Sequence, residues 1–209
     1  MRAEHIDCGY APIPISDQKL EPQEFMYYLY LPISLKYSYG VSLPDRLRFV
    51  NPLITLVCRD ADWVDKYIYL TVKSMFVDSQ CIGNRGGWHI DGFQSNGDLN
   101  YIWYSENPTE FAVQEFVNIP NDDEQSMVEI EQQIDHSKIK TYPAGWLLKL
   151  DEGVVHRATP NARACFRTFI KITVSDHQFK GFGNSRNYLL DYDWPVSKRK
   201  TLERNLDHG

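Results

Sequence analysis

The sequence has no long apolar run. Nothing in its 209 residues approaches the roughly 18 consecutive apolar residues that a membrane-spanning helix requires. No signal-peptide pattern opens it. Cysteine is scarce and scattered. The four, Cys8, Cys58, Cys81 and Cys165, form no Cys-x-x-Cys pair, which removes that metal and redox motif and leaves four reduced thiols in a cytoplasmic protein as the expectation. Positive charge is in deficit. With 22 Lys and Arg against 28 Asp and Glu the formal net charge is −6, which argues against a protein that lives on duplex phosphate contacts. That deficit says little about a nucleotide or a single flipped base. Internal repeats and low-complexity tracts are also missing.

What the chain does have is aromatic residues, 13% of the total with 13 Tyr and 5 Trp. They favour β structure and a pocket that can hold a planar or apolar group. The length suits one domain with a real core, and 43% hydrophobic content excludes disorder by composition.

Residues 1–66 read as a helical and irregular flank. Pro12 and Pro14 block an early helix. Ser16 then caps an expected helix that carries Phe25, Met26, Leu29 and Tyr30 and stops at Pro32. Leu43–Leu47 can open a short helix that Pro52 interrupts. Asp60, Asp62 and Asp65 lack the glycine and distal Glu of a calcium loop, so they read as a solvated turn.

From Tyr67 the pattern turns to strands. They are expected at Tyr67–Val77, His89–Phe93, Leu99–Tyr104, Glu110–Ile119, Lys138–Tyr142, Trp146–Leu150, Val154–Ala158 and Phe166–Val174. Turns such as Pro143-Ala144-Gly145 and Asp151-Glu152-Gly153 separate them. A short acidic helix with Met127, Ile130 and Ile134 interrupts the series as a surface excursion. Residues 67–175 therefore read as an all-β core, a sandwich or barrel. Residues 176–209 form a C-terminal extension in which Tyr188–Trp194 packs back on the core and Ser197–Arg204 is a charged helix.

One stretch carries chemistry: Gly86-Gly87-Trp88-His89-Ile90-Asp91-Gly92. On an extended segment residues i and i+2 share a side, so His89 and Asp91 can reach one point. His156, on a strand-like Val-Val-His, can supply a third ligand. Two His and one carboxylate with open positions opposite suit non-haem Fe(II). Taken singly, each residue has an ordinary alternative: a core histidine for His156, a turn residue for Asp91, a surface ion pair for Arg167. A second His-x-Asp, His5-Ile6-Asp7, is set aside because it lies at an end expected to fray, with no strand pattern leading into it.

The order strand, Gly-Gly-Trp-His89-Ile-Asp91-Gly, three strands, Asp151-Glu-Gly-Val-Val-His156-Arg-Ala, then Arg167 on the last strand resembles the Fe(II)/2-oxoglutarate-dependent dioxygenases. The resemblance spans about residues 67–175. It implies a mainly β fold, a double-stranded β-helix (jelly roll, cupin-like) with a few flanking helices. It implies His89, Asp91 and His156 as iron ligands and Arg167 as the clamp on the distal carboxylate of 2-oxoglutarate, with Thr109, Tyr101 and Trp103 lining that pocket. The implied reaction couples O₂ and decarboxylation of 2-oxoglutarate to succinate with oxidation of a C–H bond, by default hydroxylation. Asp91 disfavours halogenation, which in the family goes with a small residue there. Many relatives carry Ser or Thr two residues after the Arg, where this chain has Phe169.

The expected substrate is a small molecule such as an amino acid. Arg85, Arg157 and Arg163 flank the metal motifs and can hold an anionic group. The same chemistry on a nucleobase or protein side chain is a second reading. A non-oxygenase metal protein on the same scaffold, for which Glu152 is the nearest general base, is a third. The sequence fixes no oligomeric state.

Overall fold

The computed structural model describes residues 5–21, 24–91, 97–179 and 183–194. Its strands are β1 (His5–Ile6), β2 (Ile13–Asp17), β3 (Met26–Ser34), β4 (Tyr67–Val77), β5 (Leu99–Tyr104), β6 (Glu110–Ala112), β7 (Ile119–Pro120), β8 (Ile139–Thr141), β9 (Trp146–Leu150), β10 (His156–Arg157) and β11 (Cys165–Ser175). Two helices, α1 (Asn51–Asp60) and α2 (Asp123–Gln133), accompany short 3₁₀ turns at Asp45–Val50 and His136–Lys138. No helix among the described residues is long and apolar enough to cross a membrane.

A large antiparallel sheet runs in the order β2-β9-β5-β11-β4-β3. A smaller one runs β10-β6-β8, and His89 extends it by an antiparallel bridge to His156. β1 and β7 form a separate two-stranded ribbon. The longest pairing joins β4 and β11 over eleven residues, from Cys165 opposite Val77 to Ser175 opposite Tyr67.

Period-2 alternation sorts the side chains into layers. On the outer face of the large sheet Tyr101, Trp103, Leu147, Ile170 and Ile172 pack against Leu47, Val50, Leu53 and Val57 from the first 3₁₀ turn and α1. Between the sheets Ile102, Tyr104, Phe111, Leu148, Leu150 and Val154 form a second cluster. Beyond the small sheet Trp88, Ile90, Ala112 and Val155 pack on Ile130 of α2 and on Ile119. The acidic helix is therefore a structural cover for the small sheet rather than an excursion. The Asp122 side chain caps it by accepting from the Gln125 N–H at 2.9 Å.

The N-terminal flank departs most from expectation. The helix expected from Ser16 to Pro32 is replaced by β2 and β3 on the two edges of the large sheet. Tyr27, Tyr28 and Tyr30 favour a pleated surface over a helix, and β4 offers them an unpaired edge. Pro32 is tolerated because the β3–β4 register slips around it, between Pro32 and Ser34. Pro52 likewise starts α1 instead of breaking a helix. Asp60, read as a solvated turn residue, accepts from Tyr101 Oη at 2.6 Å and Lys149 Nζ at 2.8 Å. His5–Ile6 does not fray: it pairs with Ile119–Pro120. The expected strand 110–119 is interrupted, with only its ends paired as β6 and β7.

The C-terminal extension does pack back. Trp194 lies edge-on to Tyr67 with ring centroids 5.6 Å apart. Buried Asn187 donates to the Pro32 and Ser42 carbonyls, both at 2.9 Å. The helix expected at Ser197–Arg204 lies outside the described residues.

Candidate metal centre

Gly87 sets the approach to the site. Its φ of +76° is the left-handed conformation that favours glycine, and a Cβ there would come within 3.1 Å of Met127 Cε. The turn delivers His89 to the bridge with His156, whose two backbone hydrogen bonds are 3.0 and 2.9 Å. Trp88 and Ile90 then point to the outer cluster, and His89 and Asp91 point between the sheets.

Ligand atoms of His89, Asp91 and His156 all lie within 4.8 Å of one another. The imidazole centroids are 4.5 Å apart, and His156 Nε2 is 3.9 Å from Asp91 Oδ2. Metal–ligand bonds of about 2.1 Å at right angles put donors about 3 Å apart, so closure about a metal is a small contraction. The tautomers are suited to it. His89 Nδ1 is 3.0 Å from the Gly87 carbonyl and His156 Nδ1 is 3.0 Å from the Val154 carbonyl. A carbonyl only accepts, so each Nδ1 carries the proton and each Nε2 keeps its lone pair for the site.

The electrostatics agree with that role. Burial, aided by its neighbour His156, pushes the His89 pKa down to about 3, and burial also lowers that of His156. Both rings are neutral ligands at ordinary pH. Burial works against the Asp91 carboxylate, but Lys171 and the two imidazoles outweigh it and hold Asp91 below the usual carboxylate range. Lys171 Nζ donates to Asp91 Oδ2 at 2.9 Å. Burial alone would lower the Lys171 pKa, but Asp91 and then Tyr30 raise it instead. One Asp91 lone pair is thus held by an ammonium while the others stay open. The donor set fits a divalent metal of the Fe(II) or Zn(II) type.

No known protein family, curated protein or solved structure matches the chain. Function must therefore be argued from the site.

A cavity of about 260 Å³ opens onto the triad. Thr109 and Arg85 line it, with Leu29, Tyr30, Thr71, Lys73, Asn84, Ile102, Ala158, Phe169 and Lys171. Tyr101 and Trp103 do not, and the pocket role expected for them is corrected. They sit on the opposite face of β5, where Trp103 Nε1 donates to the Gln18 and Gly145 carbonyls, both at 2.9 Å. Strand alternation places their neighbours Ile102 and Tyr104 inward instead.

The flanking arginines divide. Arg85 borders the cavity while paired with Asp123 at 3.0 Å. Arg157 stacks over Trp88, 4.3 Å from the ring centroid, and donates to Glu110 at 2.8 Å. Arg163 is exposed and paired with Glu106. Neither Arg157 nor Arg163 lines the cavity, so their expected substrate role is corrected.

Arg167 is buried between Tyr104 and Phe169, with its guanidinium carbon 5.9 and 5.3 Å from the ring centroids. Its Nε donates to the Glu106 carbonyl at 2.8 Å, while Nη2 is buried with no hydrogen-bond partner. Burial lowers its pKa to about 10, so it remains a cation. Phe169 lines the cavity and Arg167 does not, so the ring screens the guanidinium from the open space.

Lys171 was missed in the sequence. The signal was present: Arg167, Phe169 and Lys171 alternate on β11, so all three face the site once Arg167 does. Tyr30 was missed too, because it was read on a helix. It holds a φ of +43°, costly for a bulky residue, and its N–H donates to Thr71 Oγ1 at 3.0 Å.

Proposed function

We propose that the chain is an Fe(II)- and 2-oxoglutarate-dependent oxygenase that hydroxylates a C–H bond of a small molecule. The observation that carries this reading is the convergence of His89 Nε2, His156 Nε2 and the Asp91 carboxylate on one point, each imidazole oriented by a backbone carbonyl. Three ligands on one side leave the opposite side of a six-coordinate ion for an oxo acid and O₂. The strand order supports a jelly roll. Four strands of one sheet, β9-β5-β11-β4, stand with His89-β10-β6-β8 of the other, and the chain crosses from one set to the other at every step except β6 to β8, which pair within the smaller sheet.

Fe(II) bound at the triad would supply the activation of O₂ that drives oxidation of both the oxo acid and the substrate. The chain supplies binding and orientation. Arg167 Nη2, a buried donor without an acceptor, costs about 1–3 kcal/mol as it stands, and the distal carboxylate of 2-oxoglutarate would satisfy it once the Phe169 ring turns. Thr109 and Ile102 border the space beside the triad. Lys171 holds Asp91 ionised and in place. Leu29, Ile102 and Phe169 give the space beside the triad apolar walls.

The test is succinate formation from 2-oxoglutarate under air with Fe(II) and ascorbate. The wild-type chain is expected to turn over slowly, His89→Ala not at all, and Arg167→Ala more weakly. Succinate formed equally by His89→Ala would remove the triad from the reaction. A zinc-dependent hydrolase is the surviving alternative if metal binds and oxo acid does not. The general base expected for it, Glu152, is on a turn and takes the Gly97 N–H at 3.2 Å rather than facing the triad.

A further inference from the structure

One cavity-lining residue sits in a costly backbone conformation. Tyr30 holds a φ of +43°, which a bulky side chain adopts only where its surroundings enforce it. The sheet register shows how. β3 pairs Tyr28 with Val72 and Leu31 with Leu70, so Leu29 and Tyr30 together stand opposite Thr71. This is a β-bulge, a device that re-aims a side chain beside a site. Its backbone is held from two sides. The Tyr30 N–H donates to Thr71 Oγ1 at 3.0 Å. The Leu29 N–H donates to Ser185 Oγ at 3.0 Å, and the Leu29 carbonyl accepts from the Ser185 N–H at 2.7 Å. Leu29, Tyr30 and Thr71 all line the cavity.

The bulge aims Tyr30 at one group. Lys171 Nζ lies 5.3 Å from its ring centroid, and the Tyr30 hydroxyl accepts a side-chain hydrogen bond from that ammonium. Thr71, which holds the Tyr30 N–H, stands directly opposite Lys171 in the β4–β11 register. The same ammonium donates to Asp91 Oδ2 at 2.9 Å. A row of contacts thus runs from Tyr30 through Lys171 to a metal ligand. A lysine needs such an anchor, because its ammonium is a point charge with rotatable donors on a flexible stem. Phe179 braces Tyr30 itself, edge-on with ring centroids 5.3 Å apart.

What the row controls follows from the carboxylate, which can hold a metal through one oxygen or both. Held through both, Asp91 would fill a position that a chelating oxo acid and O₂ need on a six-coordinate ion. An ammonium on Oδ2 opposes that mode, because the metal would have to share the oxygen with a cation. We propose that Tyr30 is a positioning residue that, through Lys171, confines Asp91 to one-oxygen coordination and keeps the remaining positions free for the oxo acid and O₂. The consequence for the oxo acid rests on the oxygenase reading, whereas the hold on Asp91 rests on the row of contacts alone.

Tyr30→Phe tests this, since it removes the hydroxyl and leaves the bulge and the ring against Phe179. The Co(II)-loaded chain is read by its visible spectrum and by anaerobic titration with 2-oxoglutarate. Tyr30→Phe is expected to shift the Co(II) band and to weaken 2-oxoglutarate about tenfold, while the urea midpoint of the metal-free chain stays in place. In a Lys171→Met background the same substitution should change 2-oxoglutarate affinity by less than about twofold, because the two act as one unit. A Co(II) band and an oxo acid affinity unchanged by Tyr30→Phe would overturn the proposal. An undiminished effect in Lys171→Met would overturn it too. Should Lys171→Met fail to fold, Tyr30→Phe against the wild type decides by itself. If the wild-type chain binds Co(II) but ignores 2-oxoglutarate, the oxygenase reading fails, and the Co(II) band of Tyr30→Phe still decides the role of Tyr30.

Discussion

The two faces of β5 and β11 are built from alternate residues of the same strands and could hardly differ more. Outward go Tyr101, Trp103, Ile170 and Ile172, packed under α1. Inward go Ile102, Tyr104, Arg167, Phe169 and Lys171, of which Ile102, Phe169 and Lys171 border the cavity at the triad. One face is a dry apolar layer that sets stability. The other carries buried charge that the outer layer must hold in place, because a cation left in an apolar interior is tolerated only with a rigid partner. A one-residue register slip would exchange the two. The eleven-residue β4–β11 pairing is what prevents it.

Breaking the outer face should cost the most stability. Trp103→Ala removes a buried ring and two hydrogen bonds and is expected to lower unfolding free energy by about 3–5 kcal/mol, read by urea denaturation. Its inward counterpart, His89→Ala, should abolish one-equivalent metal binding in a Co(II) titration while changing metal-free stability by less than about 1 kcal/mol. If both variants lose stability equally, the division between faces is wrong.

Lys171→Met sharpens the comparison. It leaves Asp91 without its cation, so the metal-free protein should lose about 3 kcal/mol. The metal-loaded protein should lose less, because a dication can take over as partner for Asp91. Equal losses with and without metal would detach Lys171 from the site. A smaller effect is expected from Tyr101→Phe. Losing the bond to Asp60 should cost about 1 kcal/mol and leave 2-oxoglutarate binding unchanged, whereas a pocket residue would alter that binding.

The smallest effect is a pH dependence on the outer side of the small sheet. Burial, with some help from Asp7, raises the Cys8 thiol from 9.0 to about 11. Its contribution is full below pH 9 and is lost as pH rises toward 11, because the unfolded chain ionises first. Cys8→Ala should flatten the stability profile over that window. An unchanged profile would show that the thiol is not held neutral by the fold.

Three strands after Tyr67 were legible because composition and period agreed there: β4, β5 and β9 begin and end where their patterns do, whereas the expected strand 110–119 is interrupted and 154–158 shortens to His156–Arg157. The triad was legible for the same reason, since His-x-Asp has a defined meaning once its segment is extended. The N-terminal strands were not. Phe25, Met26, Leu29 and Tyr30 fit helical spacing, and only the open edge of β4, a tertiary fact, decides for a strand. Tyr101 and Trp103 show a different limit: period 2 groups them correctly but does not say which face is inward. Lys171 fixes that phase, because it must reach Asp91, and a lysine inside an apolar strand was the unused clue.

The central claim is a metal centre at His89, Asp91 and His156 that binds an oxo acid. The most direct measurement is an anaerobic titration of the Fe(II)-loaded chain with 2-oxoglutarate, followed in the visible spectrum. A weak charge-transfer band that saturates at one equivalent, and is missing in His89→Ala, is the predicted result. Fe(II) bound in one equivalent with no band at saturating 2-oxoglutarate would contradict the account and leave a metal protein of another kind.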